Sequence, residues 1–265
     1  MRAKSVCFVL LLAGLAAAST VSAAEPLRIG ATVSETGHFA AEVGPFRRLL
    51  EAWAENVNRD GGLSVGTGRR PLEIRVYDDR SDEAVARRMY ERLAVVDRVH
   101  LLIGPYSSPL TYAASTPAER RRVPFLAVCA NAPGIYSRGY RWIACVIDEA
   151  PRYTYRYWEM LEAEAEAGSV FFVVEDTMHP RGVHQGARAL AEAAGLRVLG
   201  SRTAPRDCRD FTGVVGEIRR LDPDVVFVSA NIPFAVQFMS QARESGLRSR
   251  EFHAIHHSGV FRRSL

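Results

Sequence analysis

Leu101-Leu102-Ile103-Gly104-Pro105-Tyr106-Ser107-Ser108-Pro109-Leu110-Thr111-Tyr112-Ala113-Ala114-Ser115 decides how this chain reads. A short apolar run stops at Gly-Pro, turns through two serines and resumes as an alanine-rich segment with helical spacing. That is how a buried parallel strand hands over to a helix. Backbone N–H groups in the first turn of a helix lack an internal partner and sit at the positive end of its dipole. A carboxylate or phosphate placed there is stabilised, and Ser107 or Ser108 adds a hydroxyl. The same residues also suit a plain strand–turn–helix with a serine N-cap, so the choice rests on the flanking chain.

Outward from this stretch, strand and helix alternate with short connections. On the N-terminal side the pattern predicts a strand over Leu27–Val33 and a helix over Phe46–Asn58 with Leu49, Leu50, Trp53 and Val57 on its apolar face. A second strand is expected over Pro71–Tyr77, then a helix capped by Ser81 and running to Val96. His100–Ile103 is the third strand. Gly62, Gly66 and Gly68 read as loop punctuation. On the C-terminal side a strand is expected over Val123–Val128, and Tyr140–Ile147 reads as extended. A break at Asp148-Glu149-Ala150-Pro151 precedes a second set of units. This set has helices over Tyr153–Ala167, Gly182–Ala194, Phe211–Leu221 and Pro233–Ser245. Its strands are Ser169–Val174, Arg197–Ser201, Val225–Ser229 and Phe252–His256. Two successive βα sets argue for two α/β lobes.

Arg2 and Lys4 precede an apolar run from Val6 to Ala18, and Val21-Ser22-Ala23-Ala24 supplies small residues for cleavage, so residues 1–24 read as a secretory signal. The run is too short to span a bilayer and no lipid is expected on Cys7. The formal charge of +4 falls once Arg2 and Lys4 are removed. A near-neutral chain without a basic face predicts no nucleic-acid partner, and no direct membrane insertion is expected. Arg120-Arg121-Arg122 closes a predicted helix, where cations suit the dipole and face solvent. Of the remaining cysteines, Cys129 and Cys145 end neighbouring strands, so they read as a bridge or as two small apolar thiols; Cys208 lies in a charged loop.

Gly62-Leu63-Ser64-Val65-Gly66 matches Gly-x-Ser-x-Gly in letters, but it follows a helix end among glycines that read as loop punctuation and is not a strand-to-helix elbow, and no Gly-x-x-x-x-Gly-Lys-[Ser/Thr] loop occurs, which disfavours a hydrolase and a nucleotide-binding enzyme. His253, His256 and His257 cluster near the end. In a strand His253 and His256 point to opposite faces while His257 joins His253, so no metal site is expected, and no cofactor either.

Several segments together resemble the type I periplasmic solute-binding proteins of ABC importers, in the leucine/isoleucine/valine-binding branch. These are Thr36-Gly37-His38-Phe39-Ala40, Asn56-Val57-Asn58-Arg59-Asp60-Gly61-Gly62-Leu63, Ile103-Gly104-Pro105 with Ser107-Ser108, Val123-Pro124-Phe125, Asp222-Pro223-Asp224-Val225-Val226 and Gln241-Ala242-Arg243-Glu244-Ser245-Gly246-Leu247. Their order and spacing carry the likeness, from Leu27 to Ser258.

The resemblance implies an α/β fold of two Rossmann-like lobes with parallel sheets: a first lobe over 25–148 and a second over 149–257. It implies a small-molecule ligand, an amino acid or a related carboxylate, held between the lobes, a membrane permease of an ABC importer as partner, and a periplasmic location. It puts Ser108 where the family meets the ligand carboxylate, beside Ser107. The loop carrying Cys129 completes that grip, with Asn131 in place of a threonine. Glu42 stands near a position that lines the side-chain pocket, though an exposed glutamate also fits. Thr177-Met178-His179-Pro180-Arg181-Gly182 replaces the family's Tyr-Gly pair. His179 or Arg181 then meets a second anion, or both are solvated loop residues. His256 falls about where the family has an acid for the ligand's amine. The resemblance further implies a chain incomplete at its C-terminus, with 258–265 the start of a return crossing, about three βα units of ~30 residues each beyond it, and an apolar patch where the first sheet lies uncovered. A premature stop or frameshift is the expected cause. A receptor's sensing domain would share the fold but would need a membrane segment after the lobes.

Overall fold

The computed structural model describes residues 25–164 and 167–256; the expected leader over 1–24, His257 and the expected return crossing over 258–265 lie outside the described residues. The first half of the chain forms β1 (Leu27–Val33), α1 (Ala40–Val43), α2 (Phe46–Arg59), β2 (Leu63–Val65), β3 (Gly68–Arg70), β4 (Leu72–Asp78) and α3 (Glu83–Val95). It continues with β5 (Leu101–Ile103), α4 (Ser108–Arg121), β6 (Phe125–Ala127), α5 (Pro133–Tyr136) and β7 (Ile143–Cys145). After a 3-10 turn at Ala150–Arg152 come α6 (Tyr155–Glu164), β8 (Ser169–Glu175), α7 (Met178–Ala193), β9 (Arg197–Ala204), α8 (Thr212–Leu221), β10 (Val225–Ser229), α9 (Ile232–Glu244) and β11 (Glu251–Ala254).

Two parallel sheets result, one per lobe. The first has the order β4-β1-β5-β6-β7 and the second β11-β10-β8-β9. In each, the chain leaves an inner strand toward one edge and returns on the other side. The loops after β1 and β5 therefore part at one switch point, and those after β8 and β10 at the other. Crevices beyond the carboxyl ends of strands at such points are where open α/β sheets take ligands.

β8 and β10 are buried along their whole length, which is why their sequences run apolar without alternation. The pleat splits them between two cores. Phe171, Val226 and Val228 pack with Phe211, Phe234 and Phe238 from the α8 and α9 side. Phe172, Val225 and Phe227 pack with Trp158, Val183 and Ala187 from the α6 and α7 side.

Several expected boundaries move, each for a local reason. Helix α3 is capped by Asp82, whose carboxylate accepts from the Val85 N–H at 2.8 Å, and not by Ser81. Ser81 has φ +58° and its hydroxyl instead ties Thr36 and Phe39. Helix α7 starts at Met178, not Gly182, because Pro180 falls in the first turn, where its missing N–H costs nothing. Residues 63–70 form the hairpin β2–β3 with a two-residue turn at Gly66-Thr67. Gly62 is fixed by geometry: at φ +93°, a Cβ there would sit 2.4 Å from the Arg70 carbonyl oxygen. On α2 the buried stripe is Leu50 and Ala54, while Leu49 and Trp53 are 61% and 40% exposed. The thiols of Cys129, Cys145 and Cys208 are free, so the Cys129–Cys145 bridge does not form. Arg120 and Arg121 both pair with Glu91 at the surface.

The connection between the lobes is gripped by the second one. Gly182 and Gly186 let α7 lie against Ala150 and Pro151; a Cβ on Gly186 would fall 1.8 Å from the Pro151 carbonyl oxygen.

Candidate functional site

The turn after β5 is strained. Ser107, the N-cap of α4, has φ +83° and ψ 149°, a region that essentially only glycine occupies without penalty. Strain held by surrounding structure points to a site. Ser108 follows as the first residue of α4, 1% exposed, and its Oγ accepts from the Ala132 N–H at 3.4 Å. That leaves the hydroxyl proton of Ser108 available to a further acceptor. Opposite, the loop after β1 is pinned by buried Asp79, which accepts from the Thr32 and Ser34 hydroxyls at 2.6 Å each.

Asn131 is also buried and fully engaged. Its amide nitrogen donates to the Asp148 carbonyl at 2.7 Å, its backbone carbonyl accepts from the Ala150 N–H at 2.9 Å, and its Oδ1 lies 2.7 Å from His179 Nδ1. Because Oδ1 is an acceptor, His179 carries its proton on Nδ1 and presents a lone pair at Nε2. His256, just past β11, has its ring 5.8 Å from that of His179, and His253 stacks on Tyr157 at 3.7 Å.

Ser107, Ser108, Cys129, Asn131, His179 and His256 line one cavity of about 360 Å³ between the lobes, together with Phe39, Tyr106, Tyr153 and Arg206. Two expected residues lie elsewhere. Arg181 pairs with Asp176 and stands 63% exposed, in a separate cleft bordered by His38 and Glu83. It borders that cleft and is not among the residues lining the Ser108 cavity. Glu42 lines an adjoining cavity of about 380 Å³, accepts from the Tyr106 hydroxyl at 2.7 Å, and burial pushes its carboxyl above the usual range.

A second cluster went unforeseen. Glu175, the last residue of β8, is completely buried and takes four donors: Arg206 Nε at 3.1 Å, the Thr177 hydroxyl at 3.1 Å, and the Asn231 amide and backbone nitrogens at 2.9 and 2.7 Å. The N-terminal ends of α7 and α9 converge on it, which favours its charge. Arg206 then reaches across the cleft: its Nη1 donates to His38 Nε2 at 2.6 Å, and its guanidinium lies 5.0 Å from the centre of the Phe39 ring. Burial, and next Arg206, keep the His38 imidazole below its ordinary pKa. The one sequence signal for this cluster is a carboxylate at the end of an otherwise apolar strand.

Burial, and then His256, hold His179 down at about 4 against an ordinary 6.5. The unfolded chain binds a proton in that window and the folded chain refuses it. The stability from this residue is therefore whole above pH 6.5 and is lost as pH falls toward 4. Between pH 8 and pH 5 it should cost about 2 kcal/mol. Urea unfolding at both pH values, for the wild type and His179→Gln, isolates it: the loss should be smaller in the variant, and an equal loss would reject the assignment.

A family profile described as "Periplasmic binding protein" matches residues 26–260. The chain belongs to that family. Among curated relatives, the Leu/Ile/Val-binding protein homolog 7 of Brucella suis biovar 1 (strain 1330) is 26% identical over 246 residues, 90% of this chain and 59% of that protein. Among solved structures, the branched-chain amino acid transporter substrate-binding protein LivJ of Streptococcus pneumoniae, in complex with isoleucine, superposes with a TM-score of 0.74 at 19% identity, over 87% of this chain and 64% of that one. The solute-binding protein of an ABC transporter from Rhodopseudomonas palustris BisB5, in complex with 3,4-dihydroxybenzoic acid, gives 0.71 at 19% identity, over 86% and 61%. Both show the same fold. This periplasmic binding protein chain thus spans about 59% of the length of that curated relative.

Proposed function

We propose that the chain is the ligand-binding part of an ABC importer outside the cytoplasm, exported by residues 1–24, with its lobes dividing at residue 148. It holds an amino acid or related small carboxylate between the lobes and delivers it to a membrane permease; it binds and does not turn over its ligand. One observation carries this reading: the Ser108 hydroxyl, oriented by the Ala132 N–H, lies on the wall of the interlobe cavity at a sheet switch point. A carboxylate is also common to the ligands of the two solved neighbours, isoleucine and 3,4-dihydroxybenzoic acid. Ser107, Cys129 and Asn131 shape the wall around that grip, and His179 and His256 face it from the second lobe.

Ser108→Ala removes one charge-assisted hydrogen bond and should weaken binding by roughly 1.5–3 kcal/mol, or about tenfold to a hundredfold. Titration calorimetry against a panel of amino acids and small carboxylates measures this. An unchanged affinity would put the site elsewhere, and conversion of the bound compound would point to an enzyme.

A further inference from the structure

The cavity behind Ser108 holds no acid among its described lining residues. Its one permanently charged side chain is Arg206, already paired with Glu175. Two acids, Glu42 and Glu175, line the adjoining cavity, and both already accept hydrogen bonds there. Glu175 has its oxygens filled by Arg206, Thr177 and Asn231, and Glu42 accepts from Tyr106. His179 is neutral and its tautomer is fixed by Asn131, so its Nε2 accepts a neutral hydroxyl but brings no negative charge. An α-ammonium group buried here would lose its hydration with no carboxylate to replace it, and burying an unpaired charge is expensive. A carboxylate meets the opposite situation, with the Ser108 hydroxyl before it and a cation, Arg206, lining the same cavity from the second lobe.

The rest of the wall is ring-rich. Phe39 and Tyr106 meet edge to face at 5.3 Å, and Tyr153 meets His179 in the same way at 5.5 Å. Ring edges and faces set at such angles suit a flat aromatic body.

Given the carboxylate reading above, on which this rests, we infer that the ligand is an aromatic carboxylate without an ammonium group, not an α-amino acid. The test uses pairs that differ only in the ammonium: 3-phenylpropanoate against L-phenylalanine, and 4-methylpentanoate against L-leucine, titrated calorimetrically into the full exported chain. The ammonium-free member of each pair should bind at least about tenfold more tightly, and 3-phenylpropanoate more tightly than 4-methylpentanoate. His256→Glu, which puts a carboxylate on the wall, should narrow or reverse the preference within each pair.

Amino acids binding as well as or better than their partners, with Ser108→Ala still weakening them, would overturn the inference and leave the carboxylate grip standing. So would a preference that His256→Glu leaves untouched, or an aliphatic acid bound more tightly than the aromatic one. No binding by any member of either pair would overturn both.

Discussion

Gly186→Ala should lower the unfolding free energy by about 3–4 kcal/mol, the upper range for overpacking. The added Cβ would meet backbone, not a side chain that can turn away: the Pro151 carbonyl oxygen and carbon and the Pro151 Cα all lie within 2.3 Å of it. Either α7 moves off the connection or the connection moves off α7. The second choice also pulls on Ala150, whose N–H is held by the Asn131 carbonyl, so the lobes would be re-angled as well as destabilised. Chemical denaturation gives the first quantity and small-angle scattering the second. Gly195→Ala is not an equivalent control, since φ there is +82°; Gly213→Ala is, because its helical Cβ would meet open space. Similar losses in Gly186→Ala and Gly213→Ala would show that the close approach is not tight.

Glu175→Ala should cost about 3 kcal/mol. The loss has two parts. The half-buried Asn231 amide group and backbone N–H lose their acceptors, and the Arg206 guanidinium loses its counter-charge. The second part is softened because Arg206 is 36% exposed and water can replace the carboxylate. Glu175→Gln keeps the shape and returns some of the hydrogen bonds, so it should recover part of the stability. If alanine and glutamine cost the same, the charge is the whole effect; if Glu175→Ala costs under about 1 kcal/mol, the network does not hold the two loops together.

How much of this was legible in the residues depends on whether a signal is local. Strand β10, Val225–Ser229, was placed residue for residue because a strand covered on both faces announces itself as an unbroken apolar run. The Ser107-Ser108 turn was legible because a strand end and a helix start adjoin there. The hairpin over 63–70 was not, since β2 is exposed throughout and offers no alternation to read. Nor were the partners of Glu175 and His38. Arg206 is 31 residues from the first and 168 from the second, and nothing near either residue marks the other. Arg181 shows the opposite case: of the two readings left open for it, the exposed loop residue matches its pairing with Asp176, five positions away in the chain.

Every described residue on the wall of the Ser108 cavity lies past the carboxyl end of a strand, in a loop or a first helical turn, and none lies within a strand. Such positions can exchange one side chain for another without disturbing a ladder or either packed face of a sheet. Ligand choice is thus written outside the strands that build the two sheets, and it can drift over evolutionary time while those strands are kept. Two chains of this architecture can keep superposable sheets while their cavities come to recognise unrelated chemistry.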